Sequence, residues 1–142
     1  MSKMEKIQKV WFDDGRVFIC TDKADRVYSR PLEAFPALMD ASPEQRSRFK
    51  IGLNGNDIRW EDLDEDIHIT SFFELTEPDP NNEIGSVFRR FPQLNVSEMA
   101  RTIGINKSLL SKYIYGIKKP SPQRREQIYS AIRALGEEMM KV

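Results

Sequence analysis

The stretch from Asn95 to Pro122, NVSEMARTIGINKSLLSKYIYGIKKPSP, constrains this chain more than any other. It has the spacing of two short helices joined at a glycine and followed by a basic loop that ends at proline. Asn95 is placed to cap a helix whose third residue, Glu98, can reach back to the cap's own N–H, the capping-box arrangement. Ser97 is a competing cap, two residues on. Met99, Ala100 and Ile103 then share one helical face, with Arg101 and Thr102 toward water. Gly104 stands where the helix must stop, at a position that favours positive φ. Asn106 or Ser108 opens the next helix, whose apolar stripe is Leu109, Leu110, Tyr113 and Ile114. Lys107, Ser108, Ser111 and Lys112 are left on the opposite face. Gly116 ends this helix, Ile117 turns the chain back into the core, and Lys118 and Lys119 stand side by side before Pro120.

Two helices in this relation are one way in which small proteins place a helix in a DNA groove. Ala100, Gly104, Ser108, Ser111 and the run Gly116-Ile117-Lys118-Lys119-Pro120-Ser121 resemble the helix-turn-helix of the phage-repressor class, the XRE or Cro/C1-type family, over roughly residues 84 to 136. The resemblance implies an all-α, lambda repressor-like domain whose second helix, near 107–115, enters the major groove of double-stranded DNA. It makes Asn106, Lys107, Ser108, Ser111 and Lys112 candidate base-edge or phosphate contacts, and Tyr115, Lys118 and Lys119 candidate phosphate contacts. The family usually has Gln at the first position of the leading helix. Val96 stands there instead, which shifts the expectation from base reading toward backbone attachment. Repressors of this class act as dimers on two half-sites a helical turn apart, so the implied partners are DNA and a second copy. The implied role is a repressor-like transcriptional regulator.

Charge supports an anion-binding part. The 142 residues carry no formal net charge, yet residues 84 to 142 hold 11 Lys and Arg against 4 Glu, or +7, and residues 1 to 83 hold 11 against 18 acids, or −7. A basic domain gains most of its DNA affinity by releasing counterions from phosphates, and asymmetry between halves points the same way. A content of 39% hydrophobic and 31% charged residues describes a soluble globular protein. No apolar run approaches the roughly 20 residues that span a bilayer, and the N-terminus MSKMEKIQKVWF lacks the apolar core of a secretory leader. Cys20 is alone, which excludes an internal disulfide and fits a reducing, cytoplasmic setting.

The segment Thr76 to Glu83, TEPDPNNE, breaks the pattern with two prolines and two asparagines. It divides an acidic α+β domain (1–76) from a basic helical one (84–142), with 77–83 as linker. In the first domain, Lys6–Phe12 and Arg16–Thr21 read as strands around an Asp13-Asp14-Gly15 hairpin turn. Arg26–Ser29 reads as a short third strand of one small antiparallel sheet. Pro31 suits the first turn of a helix carrying Leu32, Phe35 and Leu38. Ser42-Pro43-Glu44 opens another helix by cap, proline and acid. The Asp14-Gly15 hairpin, Leu32 through Leu38, Ser42 to Arg46, and the run Trp60-x-x-Leu63-Asp64-Glu65-Asp66-Ile67 resemble the bacterial domain of unknown function 2442. That resemblance implies a compact α+β unit of unassigned role. Some of its members look like partners in toxin–antitoxin-type gene pairs, which suits an autoregulating DNA binder. In the second domain, Ile84, Val87, Phe88 and Phe91 read as a first helix. Ser121-Pro122 starts the last one, with Ile128, Ile132, Leu135 and Met139 closing the core and its end, Met140 included, available to a second copy.

Rival chemistries are poorly supported. Asp62, Asp64, Glu65, Asp66 and His68 lack the glycine and the alternate spacing of a calcium loop, and read as a capped turn with solvated acids. His68 has no nucleophile elbow to serve, and no phosphate-cradling glycine loop is present. The expectation is therefore a non-enzyme without cofactor or metal, in which Trp11 and Trp60 anchor the core. The alternative reading is an adaptor: the acidic domain holds a partner protein, and the helical domain does not read DNA.

Overall fold

The computed structural model describes residues 5–142; Met1–Met4, the start of the segment read as lacking a secretory leader, lie outside the described residues. The chain divides into two compact units, Met1–Glu77 and Pro78–Val142.

The first unit is α+β. Strands β1 (Ile7–Asp13), β2 (Arg16–Thr21) and β3 (Val27–Pro31) form an antiparallel meander in sequence order. Asp14 and Gly15 alone make the first turn, both at positive φ (48° and 70°), which matches the twist of the strands it joins. Along β2, Val17, Ile19 and Thr21 are buried while Arg16, Phe18 and Cys20 lie half-buried on the other face. Period-2 alternation decides the fate of the tryptophans. Trp11 pairs with Phe18 across the sheet and stacks on it with ring centroids 5.5 Å apart. It therefore sits on the outer face, 38% exposed, and is not the core anchor expected. Trp60 is one: it is fully buried, and its Nε1–H donates to the Arg46 carbonyl at 2.9 Å.

The helix expected from Pro31 through Leu38 is two shorter pieces. Pro31 closes β3, a 3-10 turn covers Leu32–Ala34, and α1 is Pro36–Met39. Phe35, at φ −131° and ψ 78°, breaks the run because the residue before a proline is pushed out of the helical region. α2 (Pro43–Ser47) has its full capping box, with Gln45 N–H donating to Ser42 Oγ at 3.1 Å and Ser42 N–H donating to Gln45 Oε1 at 2.9 Å. A second antiparallel meander, absent from the sequence reading, follows in β4 (Lys50–Ile51), β5 (Asp57–Trp60) and β6 (Glu65–His68). The acids of EDLDEDI thus form a tight turn at Asp64 (φ 47°) and the start of a strand. Val17, Ile19, Leu38, Ile58, Trp60 and Ile69 are the centre of the shared core.

The first unit ends in a strap, residues 74–77, held by two arginines of the first sheet. Arg30 Nη1 donates to the Thr76 carbonyl at 2.5 Å, and Arg16 grips the Glu77 carboxylate with contacts of 2.5 and 3.1 Å.

The second unit consists of four helices: α3 (Glu83–Arg90), α4 (Val96–Ile103), α5 (Lys107–Ile114) and α6 (Pro122–Met140). Ile84, Phe88, Met99, Leu110, Tyr113 and Ile128 form its core. Within the stretch expected as a linker, Glu77 belongs to the first unit, and the Asp79 N–H donates to the Tyr115 carbonyl at 2.8 Å within the second. At this boundary the helical unit carries 11 Lys and Arg against 6 acids, or +5, and the first unit −5. α6 spans 19 residues against 8 for each of its neighbours, so at about 1.5 Å per residue it outruns them. Ile128 is buried, but Leu135 and Met139, expected to close the core, are 39% and 63% exposed. No helix among the described residues is long and apolar enough to cross a membrane.

Two glycines test the packing with opposite signs. A methyl at Gly85 would collide with the Ile114 carbonyl, whereas one at Gly136 on α6 meets nothing. Gly85→Ala is expected to destabilise by about 1–3 kcal/mol, and Gly136→Ala to stabilise by up to about 1 kcal/mol through helix propensity, both measured by denaturant unfolding followed by helical circular dichroism. The strap supplies a pH dependence. The Arg16 guanidinium bonds Glu77 and lowers its pKa below the ordinary 4.5. A lowered folded-state pKa means the contribution is whole above the unfolded value and is lost as pH falls through the folded one. The first unit should lose stability on acidification below about pH 4.5, and Glu77→Gln should flatten that loss in urea titrations at successive pH values.

Candidate nucleic-acid interface

Each half of the α4–α5 pair is fixed by asparagine caps and a glycine turn. Asn95 Oδ1 accepts from the Glu98 N–H at 3.0 Å, which makes Asn95 and not Ser97 the cap. Glu98 does not complete a capping box; its carboxylate pairs with Arg101 at 3.4 Å instead. Gly104 ends α4 in the left-handed region at φ 90°, a conformation that costs a side-chain-bearing residue more than glycine. The N–H groups of Gly104 and Ile105 both donate to the Ala100 carbonyl, at 2.9 and 3.0 Å. Asn106 Oδ1 then accepts from the Leu109 N–H at 2.7 Å and opens α5.

On α5 the structure places most of the expected face outward and corrects one member. Asn106, Lys107, Ser108 and Tyr115 are exposed, and Lys112 is half-buried. Ser111, expected beside them, is only 7% exposed. Ser111 lies on the flank of the helix, about 40° from Tyr115 and about 60° from Ile114 at about 100° per residue, where its short side chain is covered, while 108, 112 and 115 stack along the outward line. The outward ridge is therefore Ser108, Lys112 and Tyr115. Beyond it the chain folds back, with the N–H groups of Ile117 and Lys118 donating to the Lys112 carbonyl at 2.9 and 3.3 Å. Lys118 and Lys119 are exposed on that loop.

The far end of α5 is held by Asn82, from the stretch 77–83 expected as a linker. Asn82 Oδ1 accepts from the Gly85 N–H at 2.8 Å and caps α3, while its Nδ2 donates to the Ile114 carbonyl at 2.9 Å. One side chain thus serves the start of α3 and the end of α5, 32 residues away in sequence. Capping by asparagine is legible in a sequence; a second bond at that separation is not.

The rival acidic run is taken up by arginines. Arg59 reaches Asp64 at 2.8 Å, Asp66 at 2.9 Å and Glu61 at 3.5 Å, and Arg48 reaches Asp62 at 2.6 Å. The hydrogen bond that Arg59 donates to Asp64, with the charge of Asp66 beside it, outweighs desolvation and raises the Arg59 pKa above its usual value. His68 Nδ1 accepts from the Thr70 N–H at 3.2 Å and caps a 3-10 turn. Among the described residues, no three His, Cys, Asp or Glu side chains are grouped to hold a metal ion.

The first unit, with its two meanders around Trp60 and its arginine-bound acidic turn, has a counterpart among protein families. Residues 7–76 match the family model described as a protein of unknown function (DUF2442). The match lies wholly within the first unit and includes none of the four-helix unit. No curated protein and no solved structure matches the chain.

Asn82→Ala removes a helix cap and leaves the Ile114 carbonyl without that donor. The expected loss is about 1–2 kcal/mol, read as an earlier melting of the helical signal with the tryptophan signal of the first unit unchanged.

Proposed function

We propose that the helical unit is a helix-turn-helix of the phage-repressor type that binds double-stranded DNA, and that the chain is a transcriptional regulator. The observation that carries this reading is the outward ridge of α5. Ser108, Lys112 and Tyr115 align on a helix held rigidly against α4, and the ridge leads into the exposed Lys118-Lys119 loop. A helix of this exposure suits the major groove, and a paired-lysine loop suits the phosphates beside it. The unit's charge of +5 supplies the long-range attraction. Asn106 and Lys107, at the leading end of the helix, join Ser108 and Lys112 as base-edge or phosphate contacts. Tyr115, Lys118 and Lys119 take phosphates. Ser111 drops out of the set because it packs inward. None of these side chains makes the bidentate arginine–guanine contact that discriminates most strongly, so backbone attachment and groove shape carry much of the recognition.

The exposed apolar end of α6, with Leu135, Met139, Met140 and Val142, favours a pair of copies acting on two half-sites. The competing reading, an adaptor in which the helical unit binds only protein, predicts that the α5 ridge tolerates charge reversal.

Lys112→Glu with Lys118→Glu is expected to weaken DNA binding at low salt by at least a hundredfold, in a gel shift against random duplexes, with an unchanged melting curve. If only the two lysines' phosphate contacts are lost, the slope of log affinity against log salt should fall by about 1.8. Retained affinity in the double variant would rule out DNA reading by α5.

A further inference from the structure

We propose that Arg16 and Arg30 form a binding site for a small phosphate-bearing ligand, and that Glu77 occupies this site as an intramolecular stand-in. The site lies in the first unit and does not depend on the DNA reading.

The two arginines approach the strap from opposite faces of one sheet. Arg16 lies on the outer face of β2, where its Nε–H donates to Ser29 Oγ at 3.0 Å. Arg30, on β3, pairs with Val17 across the sheet and shares its buried face, with a side chain only 1% exposed. Both converge on one carboxylate: Glu77 contacts Arg16 at 2.5 and 3.1 Å and Arg30 at 3.9 Å. Glu74 lies 4.0 Å from Arg30. The carboxylate serves the two unequally. Its two oxygens are committed to the fork of Arg16, and 3.9 Å is too long for a hydrogen bond. Arg30 is left with the Thr76 carbonyl on Nη1, and its Nε is buried with no hydrogen-bond partner.

A guanidinium taken out of water is costly unless its donors are matched, and an unmatched one in a native fold calls for an explanation. A planar carboxylate that fills one arginine fork directs its remaining lone pairs in its own plane, and here its oxygens stay 3.9 Å from Arg30. A tetrahedral phosphate has oxygens directed out of that plane, so it can accept from Arg16 and still reach Arg30. The 3.9 and 4.0 Å gaps between the Arg30 Nη atoms and the Glu77 and Glu74 carboxylates thus favour a phosphate over a second carboxylate as the ligand. Access is available, because the Glu74 and Glu77 side chains are 70% and 52% exposed and can return to water when displaced. The ligand must compete with a tethered carboxylate, whose effective concentration is in the range of about millimolar, so the native chain should respond at millimolar phosphate.

The test uses the full chain and inorganic phosphate, with acetate at matched ionic strength as control. Arginine Nε–H resonances report occupancy, and limited proteolysis reports release of residues 74–78. Phosphate is expected to shift the Arg16 and Arg30 signals and speed cleavage in the strap, while acetate does neither. Glu77→Gln removes the competitor and should tighten phosphate binding at least tenfold, and Arg16→Gln should abolish it. Equal responses to acetate and phosphate would overturn the proposal, as would Glu77→Gln binding no tighter than the native chain. Should Glu77→Gln fail to fold, the native chain decides alone: strap cleavage unchanged up to 50-fold above millimolar phosphate overturns the site.

Discussion

The helical unit depends on one side chain, Asn82, which closes two helix ends at once. Its oxygen takes an N–H at the start of α3 and its nitrogen donates to a carbonyl at the end of α5. Helix termini leave backbone groups without partners, and here a single amide answers one at each end. The crossing this enforces is so close that Gly85 has no room for a methyl group. With one end set by Asn106 and the other by Asn82, α5 has little freedom to fray. A helix of eight residues is marginal alone, so its outward ridge exists because its ends are held.

In the first unit, arginines perform the corresponding task. Arg59 and Arg48 draw the acidic turn together, while Arg16 and Arg30 bind the strap. The exposed pairs contribute little stability individually, but they give geometry to a segment whose charges would otherwise repel. Arg30 differs in being buried. Removing its partners would strand a charge in the core, which costs far more than breaking a surface pair.

Much of this was legible in the residues. Periodicity marked β1, β2 and all four helices of the second unit; capping chemistry marked Ser121 and narrowed the other starts to Asn95 or Ser97 and Asn106 or Ser108, of which the structure uses the asparagines. Failures had identifiable physical causes. β4 and β5 span two and four residues, too few for alternation to stand out beside a dense run of acids. Phe35 was read into a helix because its spacing fits, yet Pro36 behind it forbids the conformation. At the candidate interface, Ser108 and Lys112 of the ridge follow from helical spacing and Tyr115 from the family resemblance, whereas Ser111 departs because a small hydroxyl looks polar in sequence while fitting a packed face easily. The double role of Asn82 and the grip on Glu77 join residues distant in the chain, and no local pattern encodes such bonds.

The placement of the two tryptophans has a practical consequence. Trp11 and Trp60 are the only ones in the chain, and both belong to the first unit. One stacks at the surface and the other is fully enclosed. Indole emission is therefore blind to the helical unit, whereas the far-ultraviolet helix signal comes chiefly from it. Two optical probes thus divide along the boundary between the units, so whether they unfold as one cooperative body or in succession can be read by comparing two transitions in a single unlabelled sample.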